Sequence, residues 1–272
     1  MQRASPSRRS PNALTHSASA PTCRLSLREH PWRKQVRTPL LLLFDSQPAI
    51  ASLGTDSLTA LAAVHAEQCA VARAWLHNEG SLSAVATTAP PCGHCRQFLL
   101  ELPQLSGVRV LPGLNCNEAV SASDLLPHCF SGSDLSSADS RASGSLLLPA
   151  AQDKKLAFVD DTLDANSRRK LARDAANTSY APYSGCPSGV ALEMEDGTLV
   201  GGAQLESAAF NPTLPPLQCA LSCCIAEHGL ALSRIQCITV AERRSACVRQ
   251  ADTVRKVMPQ VPVESVEVEF QS

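Results

Sequence analysis

Two rhythms of apolar and polar positions run through this chain, and both recur in its second half. A helix is predicted to begin near His65 and to pass through Glu67, Ala70, Trp75 and Leu76 to Gly80, a natural C-terminal stop. Ser83–Thr88 reads as a short strand. Pro91-Cys92 then opens a second helix carrying Phe98, Leu99 and Leu102, and Gly107–Leu111 reads as another strand. Ser131–Ser145 holds seven serines and reads as a linker or surface loop. Beyond it come a helical stretch, Thr162–Thr178, and a turn at Ala181-Pro182-Tyr183-Ser184. A hairpin follows, Gly189–Met194 and Thr198–Gln204 about Glu195-Asp196-Gly197. Pro216–His228 is helical and apolar, Ile235–Val240 is a strand, and Val266-Glu267-Val268-Glu269-Phe270 alternates as a half-buried strand does.

The second half repeats the first. His65-Ala66-Glu67-Gln68-Cys69-Ala70-Val71 aligns with Pro215-Pro216-Leu217-Gln218-Cys219-Ala220-Leu221 at an offset of 150 residues. Two tandem α/β units are expected, with boundaries at 1–44 for a leader, 45–130 for the first unit, 131–152 for the serine-rich linker and 153–272 for the second unit.

Composition narrows the class. With 272 residues and 44% apolar content the chain can bury a sizeable core. Its net charge of −1 gives no overall attraction for nucleic acid or for an anionic membrane. The longest apolar run, near Leu40–Phe44, is far too short for a bilayer span. Of the twelve cysteines, Cys69, Cys219, Cys223, Cys224 and Cys237 lie in apolar stretches and read as thiols of a reducing compartment. A disulfide framework suits small secreted chains, not one of this size. Residues 1–40 carry eight Lys or Arg, one acid (Glu29), six serines and five prolines. Such a start reads as a plastid or mitochondrial transit segment, as a disordered tail of a cytosolic protein, or as a wrongly assigned reading frame.

The chemistry concentrates in two short strings, His65-Ala66-Glu67 and Pro91-Cys92-Gly93-His94-Cys95. One imidazole and two thiolates are soft ligands suited to a single Zn²⁺, and three protein ligands leave a fourth position for water, the catalytic arrangement. Glu67 is surplus as a ligand and stands where it can carry a proton. Both strings sit at predicted helix N-termini, where unpaired N–H groups and the helix dipole favour thiolate, so the deprotonation of Cys92 and Cys95 is expected to be eased. In the second half Pro215 and Leu217 replace the histidine and the acid, and no P-C-x-x-C follows. That unit can keep the architecture but cannot hold this metal. His77, His94, His128 and His228 read as plain surface histidines.

The joint pattern, H-x-E followed by P-C-x-x-C, is the signature of zinc deaminases of cytosine or adenine. His65–Gly80 and Thr88–Leu102 resemble cytidine deaminase, in particular the two-domain dimeric enzymes of enteric bacteria and plants. Ser207-Ala208-Ala209-Phe210-Asn211-Pro212-Thr213-Leu214-Pro215-Pro216-Leu217-Gln218 resembles their non-catalytic second domain, as does Leu126-Pro127-His128-Cys129-Phe130. The resemblance implies a three-layer αβα fold in two tandem copies and one Zn²⁺ on His65, Cys92 and Cys95. It implies a homodimer acting on a free pyrimidine nucleoside. The expected reaction is hydrolytic deamination of cytidine and deoxycytidine in pyrimidine salvage, with Glu67 taking the proton of water, protonating N3 and helping ammonia leave. It also matches Phe130 and Phe210 to aromatics that pack around the nucleoside, Phe210 from the partner subunit. An ordinary core phenylalanine is the alternative for each.

One departure is large. The family carries a β-hairpin and an Asn-x-Glu pair before the H-A-E helix, and the pair holds the ribose hydroxyl. Counting back from His65 by the usual spacing reaches Ser52 and Gly54, which cannot replace them, and residues 1–63 show no convincing hairpin. A zinc-binding pseudo-deaminase is therefore a second reading. A polynucleotide cytosine deaminase is a third, disfavoured by an aromatic content of 4% and by the absence of a basic channel outside the leader.

Overall fold

A computed structural model of the chain describes the backbone of residues 39–43 and 50–53, and residues 64–77, 84–87, 89–101, 109–112, 118–135, 155–160, 165–228 and 232–271. All belong to one unit, residues 33–272. Two five-stranded mixed sheets organise it. The first contains β1 (Pro39–Leu43), β2 (Ile50–Leu53), β3 (Ala84–Thr87), β4 (Arg109–Pro112) and β5 (Val120–Ser121), in the order β2-β1-β3-β4-β5. The second contains β6 (Leu156–Phe158), β7 (Ser188–Met194), β8 (Leu199–Ala203), β9 (Ile235–Arg243) and β10 (Val263–Phe270), in the order β6-β10-β9-β7-β8.

The sheets are copies of one plan. Read from the other edge, the second runs β8-β7-β9-β10-β6. In each, a hairpin (β1–β2, β7–β8) precedes the long helix, α1 (Ala66–Leu76) or α4 (Pro216–His228). A short helix, α2 (Gly93–Leu99) or α5 (Gln250–Val257), then joins the parallel pair β3–β4 or β9–β10. α3 (Ser167–Asn177) precedes β7. α1 starts one residue after His65 and α4 one residue after Pro215, as the 150-residue offset requires.

The expectation that the first hairpin is lacking is overturned. β1 and β2 pair antiparallel from Pro39↔Leu53 to Leu42↔Ile50, and β1 lies beside β3. The leader boundary at residue 44 moves with it, because β1 falls inside 1–44. The sequence hid this hairpin for a physical reason. Four consecutive leucines, Leu40–Leu43, give no period-two alternation, and no Asn-Gly or Asp-Gly turn joins the strands. Residues 1–38 and 136–154, which hold most of the expected leader and linker, lie outside the described residues.

The second sheet is covered on both faces, which makes it three-layered. Val190 pairs with Gly202 and Gly189 with Ala203, so the two glycines face opposite sides. A β-carbon on Gly189 would lie 2.3 Å from Ala172 O and Ala176 N of α3; one on Gly202 would lie 2.3 Å from Ala220 N and 2.4 Å from Pro216 O of α4. Only hydrogen fits at either place, and this sets how closely the helices approach. Val190, Leu192, Met194, Ile238 and Val240 pack against α4 and α5 on one face, while Ala191, Ala241, Val266 and Val268 meet Ala172 and Ala176 of α3 on the other. Each such large side chain contributes about 1.5–3 kcal/mol by leaving water.

One core joins the two halves. α1 buries Ala66, Cys69, Ala70, Ala74 and Trp75 against Val85 of β3 and Val110 of β4, and against Tyr180, Leu205, Leu214 and Cys219 of the second half. The Trp75 indole N–H donates to the Thr178 carbonyl, and Gln68 Nε2 donates to the Pro212 carbonyl at 2.8 Å. Among the described residues no helix is long and apolar enough to cross a membrane.

Candidate active site

Each predicted metal ligand occupies the start of a helix. His65 is the N-cap of α1 (φ −73°, ψ 155°) and Cys92 the N-cap of α2 (φ −70°, ψ 168°). A side chain at this position ordinarily accepts a hydrogen bond from its own helix. Neither does so here. The two turn toward each other instead, and Cys95, one turn into α2, joins them. Cys92 Sγ lies 3.4 Å from His65 Nδ1 and Cys95 Sγ lies 3.3 Å from the same nitrogen. All three ligand atoms fall within 4.8 Å of one another.

These separations fit zinc. Bonds of about 2.0–2.1 Å to nitrogen and 2.3 Å to sulfur, at tetrahedral angles, put N and S about 3.5 Å apart. The donors are therefore spaced for one Zn²⁺, and among the described residues they form the one group of three such donors. Pro215 at the equivalent place ahead of α4 supplies no ligand.

Glu67 lies in the first turn of α1 and is buried, 5% exposed. Its carboxylate lies beside the Cys95 thiol. That thiol is pushed well above the ordinary range, first by burial and then by the charges of Glu67 and Cys92. For Cys95 these causes act against the easing expected of a helix N-terminus. His94, whose ring lies 5.9 Å from that of His65, has its pKa lowered, by burial first and by His65 second.

The two aromatics are not core residues. Phe130 is 42% exposed and Phe210 is 76% exposed. The segment leading to Phe130 is tied to the metal-bearing helix: Arg96 Nη1 donates to Leu125 O at 3.0 Å and Gln97 Nε2 to Phe130 O at 2.7 Å. Phe210 sits in the left-handed region (φ 64°), as does His128 (φ 55°). Such backbone costs about 1–3 kcal/mol in a non-glycine residue and clusters at functional sites.

Two carboxylates escaped the sequence reading. Glu101, just past α2, is 2% exposed. It accepts from Ala208 N (2.5 Å), Ser207 Oγ (3.1 Å) and Tyr183 Oη (2.9 Å), all in the second half. Glu206 accepts from Tyr183 N (2.9 Å), Ser184 N (3.1 Å), the Ser184 hydroxyl and Gln204 Nε2 (2.7 Å), and so fixes the Pro182–Ser184 turn. Glu101 thus anchors the loop that carries Phe210. Its one signal was a charge set in an apolar run, Phe98-Leu99-Leu100-Glu101-Leu102.

Three soft donors at two helix starts, with a spare carboxylate beside one of them, form a zinc site of the catalytic kind on the H-x-E and P-C-x-x-C strings that mark zinc deaminases. Comparison with known proteins agrees. Two models described as "Cytidine and deoxycytidylate deaminase zinc-binding region" match residues 41–109 and 122–255. A cytidine deaminase of Klebsiella pneumoniae strain 342 is 40% identical over 205 residues, 75% of this chain and 64% of that protein. One of Serratia proteamaculans is 39% identical over 203 residues, 75% of this chain and 64% of that protein. Among solved structures, cytidine deaminase from Burkholderia pseudomallei (24% identity, TM-score 0.32) covers 38% of this chain and 87% of its own. That from Mycobacterium leprae (26%, TM-score 0.30) covers 40% and 91%. The chain belongs to the cytidine and deoxycytidylate deaminase family, as a two-domain member with its zinc site in the first domain. It spans 64% of the length of the Klebsiella and Serratia relatives.

Proposed function

We propose that this chain hydrolyses cytidine and deoxycytidine to the uridines and ammonia. The observation that carries the reading is the placing of Glu67 beside Cys95, one of three donors spaced for one zinc. Zinc held by His65, Cys92 and Cys95 would acidify a water to a pKa of about 7 and so provide a nucleophile at neutral pH. The protein does the rest. The Glu67 carboxylate takes one proton of the water and delivers it to ring N3 as the oxygen bonds to C4; it then takes the proton of the new C4 hydroxyl and passes it to the amine, which leaves as ammonia as the C4–N bond breaks and the C4 carbonyl forms. Its burial keeps bulk water from competing for that proton. Phe130, held by Gln97, offers an apolar face for the base. Phe210, exposed on its own chain, is suited to reach a site on a second copy, and a homodimer belongs to the same proposal.

A zinc-binding pseudo-deaminase is the second reading. Ser52 and Gly54 stand where the Asn-x-Glu pair is expected, so the ribose loses its partners. Purified protein assayed on cytidine by loss of ultraviolet absorbance, beside its zinc content, separates the two. Turnover supports the enzyme. Bound zinc without turnover on cytidine or deoxycytidine supports the pseudo-enzyme. Turnover on single-stranded DNA alone would favour the polynucleotide deaminase.

A further inference from the structure

Away from the zinc site, two thiols of the second domain face each other. Cys186 Sγ lies 3.3 Å from Cys247 Sγ across 61 residues of sequence. Cys186 is buried, in the segment between the Pro182–Ser184 turn and β7; Cys247 is exposed, in the segment between β9 and α5. Carboxylates pin the backbone on both sides. Ser184, held by Glu206, accepts from Cys186 N–H at 3.0 Å. Glu242, fully buried, accepts from Gln250 N at 2.6 Å and pairs with Arg249 at 2.8 Å, fixing the chain just beyond Cys247. The sulfurs are therefore brought to 3.3 Å of each other before any bond exists, against about 2 Å in a disulfide.

The two thiols differ. Burial alone would raise the Cys186 pKa. Hydrogen bonds from the Cys247 thiol and from the backbone N–H groups of Cys247 and Val248 outweigh it and leave the pKa lowered. Cys247 is shifted the other way by the same partner. Each thiol is thus the other's partner, and Cys247 is the one open to solvent.

We propose that Cys186 and Cys247 are a peroxide-sensitive pair that closes into a reversible disulfide. One sulfur of the pair, as the thiolate, attacks one oxygen of hydrogen peroxide. The O–O bond breaks, and the departing hydroxide takes the proton that this thiol gave up and becomes water. The sulfenic acid so formed is attacked by the other sulfur, 3.3 Å away. The S–S bond forms, the S–O bond breaks, and the hydroxyl leaves as a second water with the proton of the second thiol. Two thiols are oxidised and one peroxide is reduced to two waters. The pair lies outside the zinc site, so its behaviour is independent of the deaminase reading.

The test uses the full chain, zinc-loaded so that Cys92 and Cys95 are protected. It is treated with hydrogen peroxide, alkylated, digested without reduction and mapped by mass spectrometry. A Cys186–Cys247 cross-linked peptide is expected, abolished by dithiothreitol, together with an upward shift of the thermal midpoint that Cys247→Ser removes. Cys247 is exposed, so that variant should fold. Overoxidised or untouched Cys247 with Cys186 still open to alkylation would overturn the proposal, as would a midpoint shift of equal size in Cys247→Ser.

Discussion

Glu67 and Glu101 are both buried acids of the first domain, yet their surroundings give them different work. Glu67 has the Cys95 thiol beside it and lies at the ligand cluster. Replacing it by Gln keeps the shape and removes the group proposed to carry the proton. Zinc content should stay at the wild-type level while cytidine turnover falls by at least about a hundredfold, measured by absorbance. Glu101 has three donors and a pKa raised mainly by burial, which those donors only partly offset. A raised carboxylate binds its proton more tightly folded than unfolded. Its contribution is therefore full below the unfolded value of about 4.3 and is lost as pH rises through the folded one. Glu101→Gln cannot titrate, so urea midpoints at acid and neutral pH should shift in the variant's favour as pH rises. Glu101→Ala, which strands the Ala208 N–H, should instead cost about 2–3 kcal/mol. The zinc ligands were legible because a specific residue type at fixed spacing is the chemistry itself. Glu101 was not, because its partners Tyr183, Ser207 and Ala208 are about a hundred residues away and no local spacing encodes them.

At the scale of elements, legibility followed periodicity. α1, α4, the β7–β8 hairpin and β9 were all predicted within a few residues, because their apolar patterns are long and their turn residues strong. α5 was missed: it is short and charged, with Ala251 and Val254 its buried positions. β6 was missed at three residues. The repeat could have recovered β1 and β2, since β7 and β8 occupy the equivalent places before α4. The same comparison identifies what the second sheet cannot tolerate. A methyl group at Gly202 would overlap the backbone of α4 and one at Gly189 that of α3. Gly202→Ala and Gly189→Ala should each destabilise the chain by about 3 kcal/mol in chemical unfolding, whereas Gly93→Ala, where a β-carbon meets nothing within 4 Å, should not.

The whole molecule divides its labour between two copies of one fold. The first carries the ligand cluster and Glu67; the second carries the loop of Phe210 and the residues that receive Glu101 and Gln68. This explains why a domain without a zinc ligand persists: the core of α1 is completed by Tyr180, Leu205 and Leu214. Phe210→Ala removes an exposed ring that contributes nothing to this core. It should leave the thermal midpoint unchanged while raising KM for cytidine severalfold, a split that a purely structural role would not give. The deaminase chemistry rests on His65, Cys92 and Cys95 sharing one ion, and metal analysis by mass spectrometry of the purified chain reads this directly. One zinc per chain is expected in the wild type and in Glu67→Gln, and close to none in Cys92→Ser. A folded wild-type chain without zinc, or full zinc in folded Cys92→Ser, would contradict the account.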